Sequence, residues 1–416
     1  MQNSHALISS DVVTFGLLVT ILALIFHTAS SNNPKLRRFY KFVPVVLMCY
    51  LIPSLLSTFG VITSEGSQLW SIAKNYFLPA SLVLMTLSID LKAIARLGNK
   101  AIAMFLTGTV GIVIGGPLAI LIVGIVSPET VGGSDSDAVW RGLATLAGSW
   151  IGGGANQTAM LEVYQYNPQN YSAMVTVDII VANLWMAVLL YGVGKSDAID
   201  RWLKADTSAI DQIKAQLEEY HGSREQPLDF PKLTAIFAVA FGGVGLSHLA
   251  ANTFTPFFSN IDFAKDTILT SSFFWIVVTA TTVGLTLSFT RLRELEGAGA
   301  SKFGSLFIYL LVLVVGTKMD VMKAFEQPGL IVVGIIWMAI HAGLLIFVAK
   351  TIRAPFFFLA VGSKSNVGGA ASAPIVAAAF HPSLAPVGVL LAVFGYALGT
   401  YGAILCAELM AMAGSF

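Results

Sequence analysis

Twelve stretches of about twenty apolar residues follow one another along the chain, and this recurrence constrains the fold more than any other feature. Each stretch is long enough to cross the hydrocarbon core of a bilayer as one helix. Six precede a polar segment and six follow it, so the sequence predicts an all-α polytopic membrane protein. These apolar windows lie near residues 7–27, 42–62, 70–89, 100–126, 142–163, 171–194, 233–251, 268–289, 303–319, 328–349, 356–379 and 384–412.

The composition supports this class. Charged residues make up 11% of the 416 residues, against about 25% in a soluble domain. Because this number of charged residues is too small to cover a water-facing surface, we expect the lipid bilayer as a partner. The net charge is +1 and the basic residues are scattered, which argues against nucleic acid. We predict a multi-pass protein of the plasma membrane, of the bacterial inner-membrane type.

Short motifs repeat between the two halves in the same order. YNP at 166–168 recurs as FHP at 380–382, and GGA at 153–155 recurs at 368–370. A third pair matches SIDLKA with KMDVMKA. The sequence therefore predicts an internal duplication, with a first transmembrane repeat at 1–194, a polar amphipathic linker at 195–232 on the cytoplasmic side, and a second repeat at 233–416.

The distribution of Lys and Arg predicts how the repeats are oriented. If all twelve windows cross, 10 basic residues lie inside and 12 outside, which gives no bias. If the Gly-rich windows 142–163 and 356–379 do not cross completely, 18 lie inside and 4 outside. The second arrangement inverts one repeat relative to the other, as in many secondary transporters. The number of membrane helices stays open between 10 and 13.

Both Gly-rich windows carry polar side chains where an unbroken helix is disfavoured. They read GSWIGGGANQT at 148–158 and GSKSNVGGAASAP at 362–374. Unwound backbone in hydrocarbon must be bonded within the protein or line a polar cavity. Half-helix N-termini suit carboxylates, and free carbonyls suit Na⁺. The candidate substrate-binding residues are Ser149, Gly153, Gly154, Asn156, Gln157, Ser363, Lys364, Ser365, Asn366, Gly368 and Gly369.

The alternative for these windows is close helix packing, since small residues let membrane helices approach. Packing explains Gly111, Gly115 and Gly116 well, but it explains Asn156 or Lys364 poorly because polar groups are costly in lipid.

Two charged residues, Asp178 and Lys364, lie well away from the ends of their apolar windows. Asp178 should face the protein interior, because a carboxylate in lipid costs at least about 2.5 kcal/mol. Lys364 could receive an anionic substrate, pair with Asp178 in the empty site, or extend its ammonium toward the interface. A lone Asp178 bonded to a neighbouring hydroxyl is the simpler alternative. The candidate ion-coupling residues are Asp178, Asn156, Gln157 and Asn366.

The strings GSWIGGGANQTAM and VGSKSNVGGAASAPIVAAAF resemble the YjcL-like membrane proteins, a family defined by a domain of unknown function, and the similarity covers nearly the whole chain. That family is grouped with the cation:proton antiporter and anion transporter superfamily. The resemblance implies inverted repeats with crossing discontinuous helices, a core domain that moves against a scaffold, and often homodimers. It also implies an ion-binding acid on the helix after the first broken helix, where Asp178 stands without an adjacent acid.

These features predict an ion-coupled secondary transporter, a symporter of a small organic anion such as a carboxylate, amino acid or short peptide. Na⁺ or H⁺ is the expected coupling ion, and no other cofactor is expected. The alternatives are a sodium or potassium/proton antiporter that uses Asp178 and, more remotely, an intramembrane enzyme. We expect no enzymatic activity and no metal centre, because neither a nucleophile–base spacing nor an H-E-x-x-H pattern is present.

Overall fold

The computed structural model describes residues 6–64, 66–207, 210, 227–265, 267–320, 322–323, 326–381 and 384–414. Across these residues the regular structure is helical, with one isolated bridge between Ile8 and Ile62 and no strand. The predicted all-α class is therefore confirmed.

The first half contains eleven helices within its described residues, and a π-helical turn at Ala73–Phe77 joins two of them. They are α1 (Asp11–Ala29), α2 (Pro34–Phe42), α3 (Val45–Thr58), α4 (Leu69–Ile72), α5 (Leu78–Leu87), α6 (Leu91–Arg96), α7 (Asn99–Val126), α8 (Pro128–Val131), α9 (Val139–Val163), α10 (Tyr171–Val193) and α11 (Ser196–Leu203).

The described part of the second half continues in the same manner. Its helices are α12 (Phe230–Ser259), α13 (Ser272–Leu287), α14 (Ala300–Gly316), α15 (Gly329–Thr351), α16 (Phe356–Asn366), α17 (Gly369–Phe380) and α18 (Ala385–Ala413), with a 3-10 helix at Arg291–Ala298 after α13.

Six helices of the described chain are long and apolar enough to cross a membrane, namely α1, α7, α10, α12, α15 and α18. The number rises to eight if α2 with α3, and α13 with the 3-10 helix after it, each form one bent span. The other predicted windows also form helices, but these helices are interrupted or are shorter than the six long ones. One example is α14, which has 17 residues. The protein thus has multiple apolar helices, while the total of 10 to 13 stays a prediction.

The first Gly-rich window folds into a helical hairpin. Gly153 has φ 74° and ψ −170°, which interrupts α9, and such a backbone conformation favours glycine. The chain then returns alongside itself, since the rings of Trp140 and Tyr164 lie 5.4 Å apart and Arg141 Nη1 donates to the Tyr164 carbonyl at 2.6 Å. We call Val139–Val163 hairpin 1.

The second Gly-rich window makes a similar hairpin from α16 and α17. Gly368, with φ 110°, stands between the two helices. The rings of Phe356 and Phe357, at the start of α16, lie 5.8 and 5.3 Å from that of Phe380 at the end of α17. We call residues 356–380 hairpin 2. Both windows fold back on themselves, while their incomplete crossing of the membrane stays a prediction.

The two hairpins open at opposite ends of α10. Hairpin 1 precedes the N-terminus of α10 by the short connection 164–170. Hairpin 2 begins beside α11, which follows the C-terminus of α10, because the Phe356 N–H donates to Asp200 Oδ1 at 2.7 Å. The tips therefore point toward each other along α10. Whether the two halves arose by duplication stays a prediction.

The helices form two bundles, and each draws on both halves of the sequence. The hairpin bundle consists of α7, α10, α15, α18 and the two hairpins; the scaffold bundle consists of α1, α3, α5, α12, α13 and α14. The predicted boundaries at residues 194 and 233 separate the two sequence repeats, not the two bundles. The repeats themselves stay a prediction. In the predicted amphipathic linker, α11 buries Leu203, whereas positions 211–226 of the linker lie outside the described residues.

Glycines allow the closest helix crossings. An ideal Cβ on Gly399 of α18 would lie 2.3 Å from the Gly152 Cα atom of hairpin 1. Gly111 and Gly115 of α7 similarly meet His341 and Trp337 of α15. The sequence predicts that the α7 glycines allow close helix packing, and Gly111 and Gly115 have this role in the structure.

We predict that Gly399→Ala lowers the thermal unfolding temperature of the purified chain in detergent. The added methyl group must displace the Gly152 backbone, and such overpacking costs about 1–3 kcal/mol. Gly242→Ala in α12 is the matched control, because a Cβ there meets nothing within 4 Å. Equal unfolding temperatures for the two variants, followed by tryptophan fluorescence, would contradict the close crossing.

Candidate functional site

The tip of hairpin 1 is fastened to α10 by the carboxylate of Asp178. Ser149 Oγ donates to Asp178 Oδ2 at 2.6 Å, and Gln157 Nε2 donates to the same oxygen at 3.2 Å. Trp150 Nε1 donates to Oδ1 at 2.7 Å. An ionised carboxylate accepts about four hydrogen bonds, so three donors suit the charged form and leave one position vacant. The Asp178 side chain is partly exposed.

Hairpin 2 contacts the same helix through Lys364. This side chain is only 2% exposed, and its Nζ donates to the Ala182 carbonyl at 2.9 Å. Asp178 and Ala182 are four residues apart, so both contacts lie on one face of α10. The tips of both hairpins thus meet α10 within about one helical turn.

The structure shows no direct ion pair between the described side chains of Asp178 and Lys364, and their pairing stays a prediction. Both side chains lie in the described part of the chain, yet each bonds other groups. The Ala182 carbonyl takes the ammonium, and three hairpin 1 donors surround the carboxylate.

Asn156 fixes the tip of hairpin 1 to α18. Its Nδ2 donates to the Gly152 carbonyl at 3.1 Å and to the Tyr396 carbonyl at 3.0 Å. Its Oδ1 accepts from Thr400 Oγ1 at 2.6 Å. Both N–H groups of the amide are therefore used within the protein.

Asn366 fixes the tip of hairpin 2 to α7 by the same pattern. Its Nδ2 donates to the Gly362 carbonyl at 2.9 Å and to the Phe105 carbonyl at 3.0 Å, while Thr109 Oγ1 donates to its Oδ1 at 2.8 Å. Each asparagine thus bonds the carbonyl of the residue four positions earlier in its own hairpin and a second carbonyl on a neighbouring helix. It also bonds a Thr that lies four residues after that second carbonyl. We call these arrangements the Asn–Thr clamps. A ligand role for either asparagine stays a prediction.

Ser363 lies behind the tip of hairpin 2 in a hydrogen-bonded chain that the sequence analysis missed. His341 Nδ1 donates to the Gly108 carbonyl at 3.0 Å, because a carbonyl can only accept, and His341 Nε2 lies 2.8 Å from Ser363 Oγ. Trp185 Nε1 donates to Ser363 Oγ at 2.8 Å. Ser363 and His341 are both fully buried. The sequence feature that could have indicated this chain is His341, a histidine within the apolar window 328–349.

The turn of hairpin 2 is exposed beside the lysine. Gly368 is exposed, and an ideal Cβ on it would lie 3.2 Å from Lys364 Nζ. Ser372 Oγ, on the adjacent turn of α17, is buried and has no hydrogen-bond partner among the described residues. Gly369 starts α17 without a side-chain cap, so first-turn N–H groups face the same region.

The other candidate residues differ in accessibility. Gly153 and Gly154 are partly exposed at the tip of hairpin 1, whereas Ser365 is buried and its Oγ donates to the Gly388 carbonyl at 3.4 Å. In the described part of the chain, no group of three or more His, Cys, Asp or Glu side chains could hold a metal ion. The substrate and ion roles of these residues stay predictions.

A family model described as a protein of unknown function, DUF819, matches residues 16–413. The chain belongs to this family. It is also similar to the uncharacterized membrane protein YjcL of Bacillus subtilis (strain 168), with 23% identity over 355 residues that cover 82% of this chain and 83% of that protein. The family resemblance is thereby confirmed for this DUF819 member, while its relation to the wider transporter superfamily stays a prediction.

We predict that Asp178→Ala destabilises the protein more than Asp178→Asn does. Alanine leaves three donors of hairpin 1 without an acceptor, and each unsatisfied buried polar group costs about 1–3 kcal/mol. Asparagine has the same shape and keeps an acceptor oxygen. Thermal unfolding of the two variants tests this, with Asp262→Ala as the control because its side chain is 94% exposed. Equal stability of the two Asp178 variants would show that the carboxylate does not hold hairpin 1.

Proposed function

We propose that the protein is an ion-coupled secondary transporter that moves a small organic anion by alternating access. One observation carries the proposal: two helical hairpins open at opposite ends of α10 and bring the ammonium of Lys364 and the carboxylate of Asp178 to its middle. Charges at this depth are expensive in a membrane protein and mark solute or ion pathways.

The region around Lys364 supports binding of an anion. Its ammonium has three donors, and the uncapped start of α17 adds N–H groups and the positive end of a helix dipole. A carboxylate forms charge-assisted hydrogen bonds with such donors, which are about twice as strong as neutral ones. The carbonyl of Ala182 is a weaker partner that a carboxylate could replace.

Asp178 supports the coupling to a cation. With Asp178 and Lys364 both charged, the hairpin tips carry no net charge, and an anion alone would add an unbalanced charge in a region of low dielectric constant. Co-transport of Na⁺ or H⁺ restores neutrality. Asp178 would bind the ion or proton, with the side-chain oxygens of Asn156, Gln157 and Asn366 as further candidates, so that the protein acts as a symporter.

Contacts between the two bundles support movement of one against the other. At the end where hairpin 1 opens, Lys74 of the scaffold pairs with Glu162 of hairpin 1 at 3.0 Å, and Ser172 Oγ of α10 donates to the Asp320 carbonyl after α14 at 2.6 Å. Opening at this end requires these bonds to break. We also propose, from the family resemblance, that the protein is a homodimer in a plasma membrane.

A cation/proton antiporter is the second candidate. The partly exposed Asp178, with one vacant acceptor position, favours it. Such a protein would exchange Na⁺ or K⁺ for H⁺ without an organic solute, and Asp178→Asn would abolish the exchange. For an intramembrane enzyme, Ser363 and His341 would be nucleophile and base. Their complete burial and the bond from Trp185 to Ser363 support a structural role instead.

We predict that Lys364→Met abolishes anion uptake. The reconstituted chain is assayed in proteoliposomes with a panel of labelled carboxylates and amino acids under an inward Na⁺ or H⁺ gradient. Methionine keeps the length of the side chain but removes the charge that holds the carboxylate. Lys302→Met is the control, because Lys302 is exposed in α14 and distant in sequence from the hairpins.

Folding of each variant is checked by thermal unfolding before the transport measurement. Undiminished uptake by a folded Lys364→Met protein would remove Lys364 from the binding site. Absence of uptake for every organic solute, together with Na⁺/H⁺ or K⁺/H⁺ exchange that Asp178→Asn abolishes, would favour the antiporter.

A further inference from the structure

We infer that the transported solute is a zwitterion of the amino-acid type, with its carboxylate at Lys364 and its ammonium at Asp178. This inference rests on the proposed transport function, narrows its substrate class, and assigns Asp178 to the ammonium of the solute in place of the coupling ion. It follows from the hydrogen-bonding capacity that each charged group has left, from their spacing on α10, and from their charges.

Lys364 has donors to spare. Among the described residues, its ammonium bonds the Ala182 carbonyl, which leaves two of its three N–H groups for a ligand. Ser372 Oγ, buried and without a partner in the described structure, lies on the neighbouring turn of α17. Gly368 is exposed, and an ideal Cβ on it would lie 2.3 Å from Ser372 Oγ and 3.2 Å from Lys364 Nζ, so its lack of a side chain keeps the space beside both groups open. Two ammonium donors and a hydroxyl match the two oxygens of one carboxylate.

Asp178 has one acceptor position to spare, and its surroundings suit an ammonium better than a metal ion. Two of its three partners, Trp150 and Gln157, present N–H groups to the carboxylate. Donor N–H groups cannot ligate a cation, and a metal ion needs several oxygen ligands. An ammonium needs one acceptor for each hydrogen bond, and the vacant position on Asp178 supplies one.

The spacing of the two contacts fits a compact solute. Asp178 and Ala182, the attachment points of the two charges, are separated by four residues of α10, which is a rise of about 6 Å. A molecule whose carboxylate and ammonium are joined by a single carbon can contact both groups if Lys364 leaves the Ala182 carbonyl. The exchange is favourable, because a carboxylate is a stronger acceptor than a neutral carbonyl.

The charges favour the same class. A zwitterion gives both Asp178 and Lys364 a partner of opposite charge and leaves the site neutral. A simple anion would pair with Lys364 but would place a second negative charge near Asp178, and buried charges without partners are strongly destabilising.

The inference is tested by thermal shift of the purified full chain with isosteric ligands. The probes are the twenty L-amino acids, and for each amino acid that stabilises the protein, the α-hydroxy acid and the amide of the same side chain. The hydroxy acid lacks the ammonium and the amide lacks the carboxylate, at nearly constant size. We expect both derivatives to bind at least about tenfold more weakly, because each loses a charge-assisted bond.

Two variants make the test specific. In Asp178→Asn, the ratio of the affinities for the amino acid and the hydroxy acid should fall to about one. The preference for the amino acid over the amide should persist. In Lys364→Met, the preference over the amide should disappear. Lys302→Met is the control that should retain both preferences.

The outcomes separate this inference from the proposed function. Equal binding of an amino acid and its hydroxy acid overturns the zwitterion but leaves an anion transporter. Equal binding of the amide removes the carboxylate contact at Lys364. If none of the twenty amino acids stabilises the chain, the inference fails, and uptake of the carboxylate panel then decides the proposed function by itself.

Discussion

The need to bond every backbone polar group in a low-dielectric interior governs this structure. Interrupting a helix at Gly153 and at Gly368 frees carbonyl and N–H groups that lipid cannot satisfy. The two Asn–Thr clamps meet part of this requirement by tying each tip to a long neighbouring helix, α18 or α7. Broken helices are therefore tolerated here because intact ones lie against them, and the glycines of those helices allow the necessary approach.

The same support brings the two charges together. Among the elements that the structure describes, α10 is the one that both hairpin tips contact through a charged side chain. The contacts involve Asp178 and the carbonyl of Ala182. Hydrogen bonds from neutral donors stabilise the carboxylate, and a neutral carbonyl holds the ammonium. Each charge is thus satisfied without being neutralised, an arrangement that leaves both available to a solute of suitable charge.

Much of the architecture could be predicted from the sequence, because apolar length, glycine content and Lys/Arg distribution report on single segments. The helix interruptions within 142–163 and 356–379 followed from their glycines and polar side chains, and the interest of Asp178 followed from the cost of a carboxylate in lipid. The clamps could not be predicted, since Asn156 meets Tyr396 across 240 positions. The carbonyl partner of Lys364 was missed for a related reason: every residue carries that acceptor, so no pattern marks it.

The Asn156 clamp also has a consequence for biogenesis. Its partners Tyr396 and Thr400 belong to α18, the last helix of the described chain, whereas hairpin 1 is synthesised long before. While the 240 positions between Asn156 and Tyr396 are synthesised, the nascent first half therefore carries an amide and an interrupted helix without their final acceptors. Water, the insertion machinery or non-native partners must shelter that tip until α18 has been synthesised and inserted, so the clamp forms only after the intervening helices.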